Sequence, residues 1–517
     1  MAGDPFLSDP SRKRKRPTKS KPQPRREKPS AARDSEISSA SEDEGANSEQ
    51  EAKYERQDGD ISSDEEFFEE SAADKRRRLA KQYLQNLKEQ EIAGDDYDAQ
   101  DLDDDILARR LQDDVAENKG KMYKFLAEKV GLQLQERTPR TTRVGLKNLT
   151  GVAVKYPYIY TVSKDMELVK WKAGKQGRPQ RVRHAKGGLR FVNINTKNPA
   201  ANHHSAPINC VAASHDGRFV VTGGEDARLI IWSAETLLCM KVLQTRAPVN
   251  ALAFRRNTDQ LYAACADLRI RTFSVNQHAQ LEILYGHQDN ITDISALARE
   301  SCVSVGSRDK TAMYWKIAEE SRLTFRGGDS ERKSRKRPDS AGDDDSMPRF
   351  SEGSIEAVCM VDETHFVTGS DNGNVAFWSL GKKKALFTQP VAHGLLPQHA
   401  PTQASAETDA ELAAAQVALR QPCWITAVYA VPYSDLFITG SYSGEVKLWR
   451  IDSESYRTFT PVGLLAVQGC VVKIDGAEVS DEKKLVVYVA TSKEHRLGRW
   501  LGSVGGRNAV VSVEFDV

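Results

Sequence analysis

Long apolar runs and paired cysteines are missing from this 517-residue sequence. Hydrophobic residues make up 39% of it and charged residues 28%, and no stretch of about 18 consecutive apolar residues occurs, so we expect no transmembrane helix and no membrane partner. Residues 1–16 contain no apolar stretch ahead of their basic cluster, and we therefore expect no secretory signal peptide. The seven cysteines form no C-x-x-C pair, which argues against the usual zinc and thioredoxin spacings and is typical of a reducing compartment.

Signatures of catalysis are also missing. The sequence contains no G-x-S-x-G, H-E-x-x-H or G-x-x-x-x-G-K-[ST] motif. The adjacent pair His203 and His204 would point to opposite faces of a strand, so the two rings are not expected to act together. We therefore predict a protein that is not an enzyme and uses no metal, no cofactor and no small-molecule substrate.

The formal net charge of +1 hides a strong separation of charge along the chain. Residues 1–33 carry eleven Lys and Arg against three acids, whereas residues 34–70 carry fifteen Asp and Glu against two bases. Such blocks repel internally and bury too little apolar surface to offset the loss of chain entropy on folding. We predict that residues 1–73 form a disordered tail, basic first and then acidic.

A nuclear localisation signal is predicted inside this tail. A basic run of this length, followed by Pro17, favours nuclear import or a nucleic-acid contact, and a merely solvated basic tail is the alternative. The run consists of Arg12, Lys13, Arg14, Lys15 and Arg16.

Residues 74–131 show two stretches of helical periodicity outside the main domain. The first contains Leu79 and Leu87, the second extends from Leu102 to Val130, and an acidic run lies between them. An amphipathic helix without a core of its own docks on another surface. We expect a helical extension whose apolar faces bind either a partner or this protein's own main domain.

A repeat governs residues 140–517. Each unit reads as a strand, a tight turn and a second strand, with a short turn-forming or acidic residue six positions before a closing aromatic. Successive aromatics are 61, 41, 42, 63, 71 and 51 residues apart, and the two short spacings match the period of about 40–45 residues of four-stranded propeller blades. The closing aromatics are Trp171, Trp232, Phe273, Trp315, Trp378, Trp449 and Trp500.

This pattern resembles the WD-repeat family, which implies an all-β fold, a seven-bladed WD-repeat β-propeller. Two sets of residues match the buried His–Asp–Trp network of that family, and such bonded groups lock a blade rather than catalyse a reaction. They are His204, Asp226 and Trp232 in one blade, and His287, Asp309 and Trp315 in another.

Two features depart from the family or stay open. No tryptophan is followed by Asp, so the Trp-Asp-x-Arg pattern common in receptors of cullin ubiquitin ligases is absent. The last outer strand of the ring has two candidate sources, Val510–Phe515 and a strand near Thr141–Leu146.

Insertions at 172–200, 326–350 and 385–421 lengthen the ring, and loops on a rigid scaffold carry specificity. The first begins with seven cations and no acid between residues 172 and 190, which predicts a mobile basic loop that binds the phosphates of RNA or another polyanion; a solvated loop is the alternative. Arginines near blade edges extend the set, because the planar guanidinium suits phosphate. The candidate RNA-binding residues are Lys172, Lys175, Arg178, Arg181, Arg183, Lys186, Arg190, Arg255, Arg256 and Arg496.

A closer resemblance rests on several short segments together. They include Ala253–Tyr262, Leu284–Asp289 and Glu494–Trp500, and they are similar to the WD-repeat subunits of the U3 small nucleolar ribonucleoprotein. The resemblance spans roughly residues 75–500, without the 326–349 insertion.

That resemblance implies a non-catalytic scaffold in the nucleus and nucleolus. Its members bind U3 small nucleolar RNA together with box C/D core proteins, including the kink-turn-binding protein, and meet other small-subunit processome proteins. They act in pre-ribosomal RNA processing and small ribosomal subunit biogenesis. A chromatin- or histone-binding propeller and a ubiquitin-ligase substrate receptor are the two alternatives.

Overall fold

The computed structural model describes residues 123–145, 148–174, 178–327, 353–397, 406–415, 420–452, 455–479, 483–498 and 505–517. The predicted tail at 1–73, its localisation signal and most of the helical extension lie outside these residues. So do most of the insertion at 326–350 and the closing residue Trp500.

Seven four-stranded antiparallel sheets make up the described domain, which confirms the predicted propeller. Six blades take their strands in sequence order. Blade 1 has β2 (Leu149–Lys155), β3 (Tyr158–Ser163), β4 (Glu167–Lys172) and β5 (Gln180–Lys186); blade 2 has β6 (Ile208–Ala213), β7 (Phe219–Gly224), β8 (Arg228–Ser233) and β9 (Cys239–Gln244); blade 3 has β10 (Val249–Phe254), β11 (Gln260–Cys265), β12 (Arg269–Ser274) and β13 (Ala279–Tyr285).

The second half of the ring follows the same order. Blade 4 has β14 (Ile291–Ala296), β15 (Ser301–Gly306), β16 (Thr311–Lys316) and β17 (Ser321–Arg326); blade 5 has β18 (Ile355–Met360), β19 (His365–Ser370), β20 (Val375–Ser379) and β21 (Phe387–Gln389); blade 6 has β22 (Ile425–Ala430), β23 (Leu436–Ser441), β24 (Glu445–Ile451) and β25 (Phe459–Ala466); blade 7 has β26 (Cys470–Val479), β27 (Lys484–Ser492), β28 (Ala509–Asp516) and β1 (Arg140–Arg143).

Blade 7 closes the ring with strands from both ends of the domain. β1 pairs with β28 from Arg140 opposite Ser512 to Arg143 opposite Ala509. The segment near Thr141 therefore supplies the outer strand, and Val510–Phe515 belongs to the third. In the described part of the repeat unit that ends at Trp500, residues His495–Gly498 form a turn, and the third strand of blade 7 begins at Ala509.

A belt of hydrogen bonds joins neighbouring blades around the axis. The first strands of the blades contact one another in a closed cycle, and each has a β-bulge, at its second residue in blades 1 to 6 and at its third, Val472, in blade 7. In five blades the bulged side chain bonds a main-chain carbonyl at the start of the next blade's first strand, as Thr292 does with Ile355 (2.9 Å). The other four side chains are those of Thr150, Asn209, Asn250 and Thr426.

The end of the predicted helical extension docks on the ring itself. Helix α1 (Ala127–Gln133) buries Leu126, Ala127 and Val130 in the apolar core of blades 6 and 7. The buried carboxylate of Asp435 accepts the main-chain N–H groups of Leu126 (2.7 Å) and Ala127 (3.1 Å). The sequence analysis allowed this extension to bind either a partner or the protein's own main domain, and these residues bind the main domain.

Two predicted insertions contain blade strands. Gln180–Lys186 is β5 and Phe387–Gln389 is β21, so the extra length of blade 1 lies after residue 186, where two short 3₁₀ turns cover Leu189–Phe191 and Pro199–Ala201. Beyond β21, the third insertion contains a short helix, α2 (Ala410–Ala415), and the N–H of its second residue, Glu411, donates to the carboxylate of Asp409 (3.0 Å).

Candidate nucleic-acid interface

Blade 4 contains one of the predicted polar networks. His287 bonds Asp309 through Nδ1 (2.9 Å) and Ser304 through Nε2 (2.7 Å), and Trp315 Nε1 donates to the same serine hydroxyl (2.8 Å). Both histidine side chains of the two predicted sets are fully buried. The same bonds recur in blade 2 among His204, Thr222, Asp226 and Trp232.

The aspartates of these networks stay ionised. Burial would raise the pKa of Asp226 and Asp309, but hydrogen bonds and charge from the neighbouring histidine outweigh it and lower each pKa below its usual value. A carboxylate, an imidazole and an indole that satisfy one another in this way hold a turn against two strands. The geometry is structural.

A third network was missed by sequence reasoning. His393 Nε2 bonds Thr439 Oγ1 (2.8 Å), and Trp449 Nε1 donates to the same hydroxyl (2.8 Å). Ser443 takes the place of the acid and bonds Ser441 instead (2.7 Å). The histidine precedes its threonine by 46 residues, because the third insertion separates them, and this long spacing concealed the pattern.

The densest basic segment is an outer strand and not a mobile loop. β5 pairs with β4 from Gln180 opposite Lys172 to Lys186 opposite Glu167. Mutual repulsion among its cations is relieved by acids of the same blade, since Arg181 bonds Glu167 (2.5 Å) and Lys186 pairs with Asp165 (3.2 Å). The pairing explains why a segment without acids of its own forms a regular strand.

The candidate cations of blade 1 run from one face of the ring to the other. We call the face that carries His204 and His287 the histidine face. β4 ends away from it, so Lys172 and Arg178 lie on the opposite face, while β5 leads to the histidine face and Arg190 follows there. All three side chains are exposed, and Arg190 stacks on the Phe191 ring (4.7 Å). Lys175 lies outside the described residues.

Arg255 and Arg256 lie apart from the candidate cations of blade 1. They belong to the turn after β10, on the face opposite the histidine face. Arg255 donates to the Ala298 carbonyl (2.8 Å) and to Gln260 Oε1 (3.0 Å), and Arg256 lies over the Tyr433 ring (5.8 Å). The guanidinium group of Arg255 joins blade 3 to blade 4, and that of Arg256 reaches blade 6. The structure therefore does not bring them together with the cations of β5.

Arg496 was wrongly predicted to be a surface cation. Its side chain is 7% exposed and crosses the ring, where it donates to the main-chain carbonyls of Asn250 (3.0 Å) and Thr292 (2.5 Å). Nearby, Lys473 of blade 7 pairs with Asp293 of blade 4 (3.0 Å). This buried position could not be predicted, because it depends on strands more than 200 residues away in the sequence.

The described residues also bear on metal sites, disulfides and membrane-spanning helices. No group of three or more His, Cys, Asp and Glu residues there is arranged to hold a metal ion. The seven cysteines are free, and none of the described helices has the length and apolarity to cross a membrane.

The sequence is similar to a known repeat family and to several characterised proteins. Residues 198–233 and 279–316 match the family described as "WD domain, G-beta repeat". "Ribosomal RNA-processing protein 9" of Saccharomyces cerevisiae is 44% identical over 88% of this chain and 91% of the relative. "U3 small nucleolar RNA-interacting protein 2" of Homo sapiens is 31% identical over 86% of this chain and 82% of the relative.

Solved structures agree with these relatives. A structure of U3-55K is 30% identical, covers 72% of this chain and 98% of its own, and superposes with a TM-score of 0.59. A crystal structure of RRP9 WD40 repeats gives the same identity and TM-score over 73% of this chain and 97% of its own.

Proposed function

The chain belongs to the family of U3-associated WD-repeat proteins that includes ribosomal RNA-processing protein 9 and U3 small nucleolar RNA-interacting protein 2, and from this membership we propose its function. It is a non-catalytic, RNA-binding scaffold subunit of the U3 small nucleolar ribonucleoprotein. It acts in pre-ribosomal RNA processing and small ribosomal subunit biogenesis. The observation that carries the proposal is the 44% identity to the yeast relative across nearly the whole of both chains.

The RNA contact is proposed on the outer edge of blade 1. Lys172, Arg178 and Arg190 are exposed and Arg181, Arg183 and Lys186 lie on the exposed strand β5 between them. Cations fixed by pairing along a strand track a phosphate backbone and release its counterions. Lys175 belongs to the same stretch of sequence, whereas the buried Arg496 has no part in this surface.

Partners and location follow from the same membership. We expect U3 small nucleolar RNA, box C/D core proteins including the kink-turn-binding protein, and other small-subunit processome proteins. The basic run at residues 12–16 would direct the protein to the nucleus, and assembly with U3 would hold it in the nucleolus. No named relative favours the chromatin-binding or the ubiquitin-ligase alternative.

Crosslinking in cells, followed by sequencing of the attached RNA, tests this function. Enrichment of U3 RNA is expected. The charge reversal Arg181→Glu, Arg183→Glu and Lys186→Glu should lower its recovery by roughly tenfold or more, because three cation–phosphate contacts become repulsive. The matched control reverses Arg218 of blade 2, Lys316 of blade 4 and Lys382 of blade 5; Arg218 and Lys382 are exposed, and Lys316 is partly exposed.

Three results contradict parts of the proposal. RNA without enrichment of U3 would overturn the U3 assignment and keep the basic surface. Equal loss of U3 in the two triple variants would place the contact elsewhere. Absence of any crosslinked RNA would leave a scaffold that touches only proteins.

A further inference from the structure

A groove of about 770 Å³ lies between the outer strand of blade 1 and blade 2. One wall is β5, from Val182 to Lys186. The other walls are the segment around Arg190 and Phe191, the segment Ala200–His203, and the turn of blade 2 that ends at Leu238. We call it the blade 1–2 groove.

The groove follows the edge of β5. Side chains of successive strand residues point to opposite faces of a sheet, so one face meets only alternate residues. Five successive residues, Val182 to Lys186, nevertheless line the groove. It therefore includes the strand's backbone edge, and within the described part of blade 1 that strand pairs on one side only, with β4. An exposed strand edge of this kind accepts an extended peptide.

The charge of the lining is of one sign. Arg183, Lys186 and Arg190 line the groove, and no Asp or Glu is among the residues that do so. The cations are held in place, since Arg183 donates to the Thr236 carbonyl (3.2 Å) and Arg190 stacks on Phe191. An occupant with carboxylates is the one that these cations complement.

Aliphatic side chains distinguish a peptide from RNA at this groove. Of thirteen large apolar side chains exposed on the described residues, Val182 (47%) and Leu238 (52%) line the groove, and Leu189 (81%) and Val192 (55%) flank Arg190 and Phe191. A cluster of exposed aliphatic groups marks a protein-binding surface. RNA bases bind by stacking on exposed aromatic rings, but in the groove wall Trp232 is 2% exposed, and one face of the half-buried Phe191 ring is covered by Arg190.

We propose that the blade 1–2 groove binds an extended acidic segment of a partner protein, which adds a strand beside β5 and places apolar side chains on Val182 and Leu238. The main-chain bonds would give affinity, and the acidic and apolar residues would give specificity. The inference goes beyond the proposed RNA function. It shares cations with that surface but depends on aliphatic groups that RNA does not need.

Photo-crosslinking in cells identifies the occupant. In the full chain, p-benzoylphenylalanine replaces Leu238 in one variant and, as a matched control, Leu323 in another; Leu323 is 42% exposed on β17, an outer strand of blade 4. Sequencing of the crosslinked fragments by mass spectrometry should return one acid-rich segment of another protein from Leu238 and not from Leu323. Crosslinks to nucleic acid, to this chain's own residues 95–105, to a second copy of the chain, or none beyond the control would overturn the proposal.

Affinity measurements with the recovered segment complete the test. The synthetic segment should bind the full chain, and Leu238→Glu should weaken binding by roughly tenfold or more, because an acidic peptide then meets a carboxylate where an apolar contact was made. Leu323→Glu is the control that should leave binding unchanged. Equal affinity of the two variants contradicts the groove.

Recovery of U3 RNA separates this inference from the proposed function. Leu238→Ser removes the apolar contact without changing any charge, so it should weaken binding of the peptide and leave U3 recovery unchanged. If U3 recovery falls with Leu238→Ser and no peptide is found, the groove belongs to the RNA surface and the peptide proposal fails while the proposed function stands. If the peptide binds and no U3 RNA is recovered, the peptide proposal stands and the proposed RNA function fails.

Discussion

Blade 4 and blade 7 are built from the same four-stranded plan but are held together over very different distances in sequence. In blade 4, His287 and Asp309 are 22 residues apart, and Trp315 and Ser304 are 11 apart. In blade 7, the contacts of Arg496 join residues 246 and 204 positions away. The difference shows that a regular blade is stabilised locally, whereas the closing blade depends on the rest of the ring.

Closure explains the contrast. A blade inside the ring receives its four strands from one stretch of chain, so its polar network forms with its hairpins. Blade 7 takes its outer strand from Arg140–Arg143 and rests against α1, so its contacts form only when the two ends of the domain meet. Contacts that close long loops are made at a greater entropic cost.

The largest effect should come from the local network of blade 4. Trp315→Ala removes an indole that is 5% exposed together with its bond to Ser304, and we expect a loss of about 3–5 kcal/mol in the free energy of unfolding. Chemical denaturation followed by circular dichroism measures it. Leu323→Ala on the exposed strand β17 is the control. A loss below about 1 kcal/mol would show that the network is dispensable and would break the comparison.

The next effect tests the brace across the ring. Arg496→Met keeps much of the side-chain volume but leaves the carbonyls of Asn250 and Thr292 without a donor, which should cost about 2–3 kcal/mol. Hydrogen exchange should accelerate in β10 and β14 as well as in blade 7. Arg218→Met is the control, because Arg218 is exposed and its ion pair with Asp216 lies within one turn of blade 2. Faster exchange confined to blade 7 would mean that Arg496 is not a brace.

These distances also explain how far the sequence could be read. The aromatic spacing and the histidine–aspartate pairs of blades 2 and 4 lie within single repeats, so the sequence predicted the propeller and the residues that bond one another. The buried position of Arg496 could not be predicted, because its acceptors belong to blades 3 and 4. β5 was mistaken for a loop for a related reason: Asp165 and Glu167 neutralise its cations only once the register with β4 is set.

A smaller effect is expected where α1 meets the ring. Asp435→Ala removes the carboxylate that accepts the N–H groups of Leu126 and Ala127, and we expect a loss of about 1–2 kcal/mol, the range of a helix cap. Exchange should quicken in residues 126–137 while blade 4 stays protected. Asp216→Ala, in an exposed turn of blade 2, is the control. Equal quickening in blade 4 would contradict a local role for this contact.

The smallest effect distinguishes the two blades by pH. Burial raises the pKa of Asp475, on β26 of blade 7, to about 6, although the N–H groups of Val154 and Gly476 and the charge of Lys473 oppose that rise. The folded protein then binds more protons than the unfolded chain between about pH 4 and this value, so this group's contribution to stability falls as the pH rises through that window. The pH dependence of Asp309, in blade 4, has the opposite sign. Its lowered pKa gives stability that is present above the pKa of the unfolded chain and is lost as the pH falls through the pKa of the folded protein.

Denaturation midpoints test this contrast. The midpoint of Asp475→Asn should rise relative to that of the unsubstituted protein as the pH rises from 4 to 6.5, whereas the deficit in the midpoint of Asp309→Asn should become smaller as the pH drops below 4. A difference between Asp475→Asn and the unsubstituted protein that does not change with pH would show that Asp475 titrates as an exposed group, and the electrostatic contrast between the regular and the closing blade would disappear.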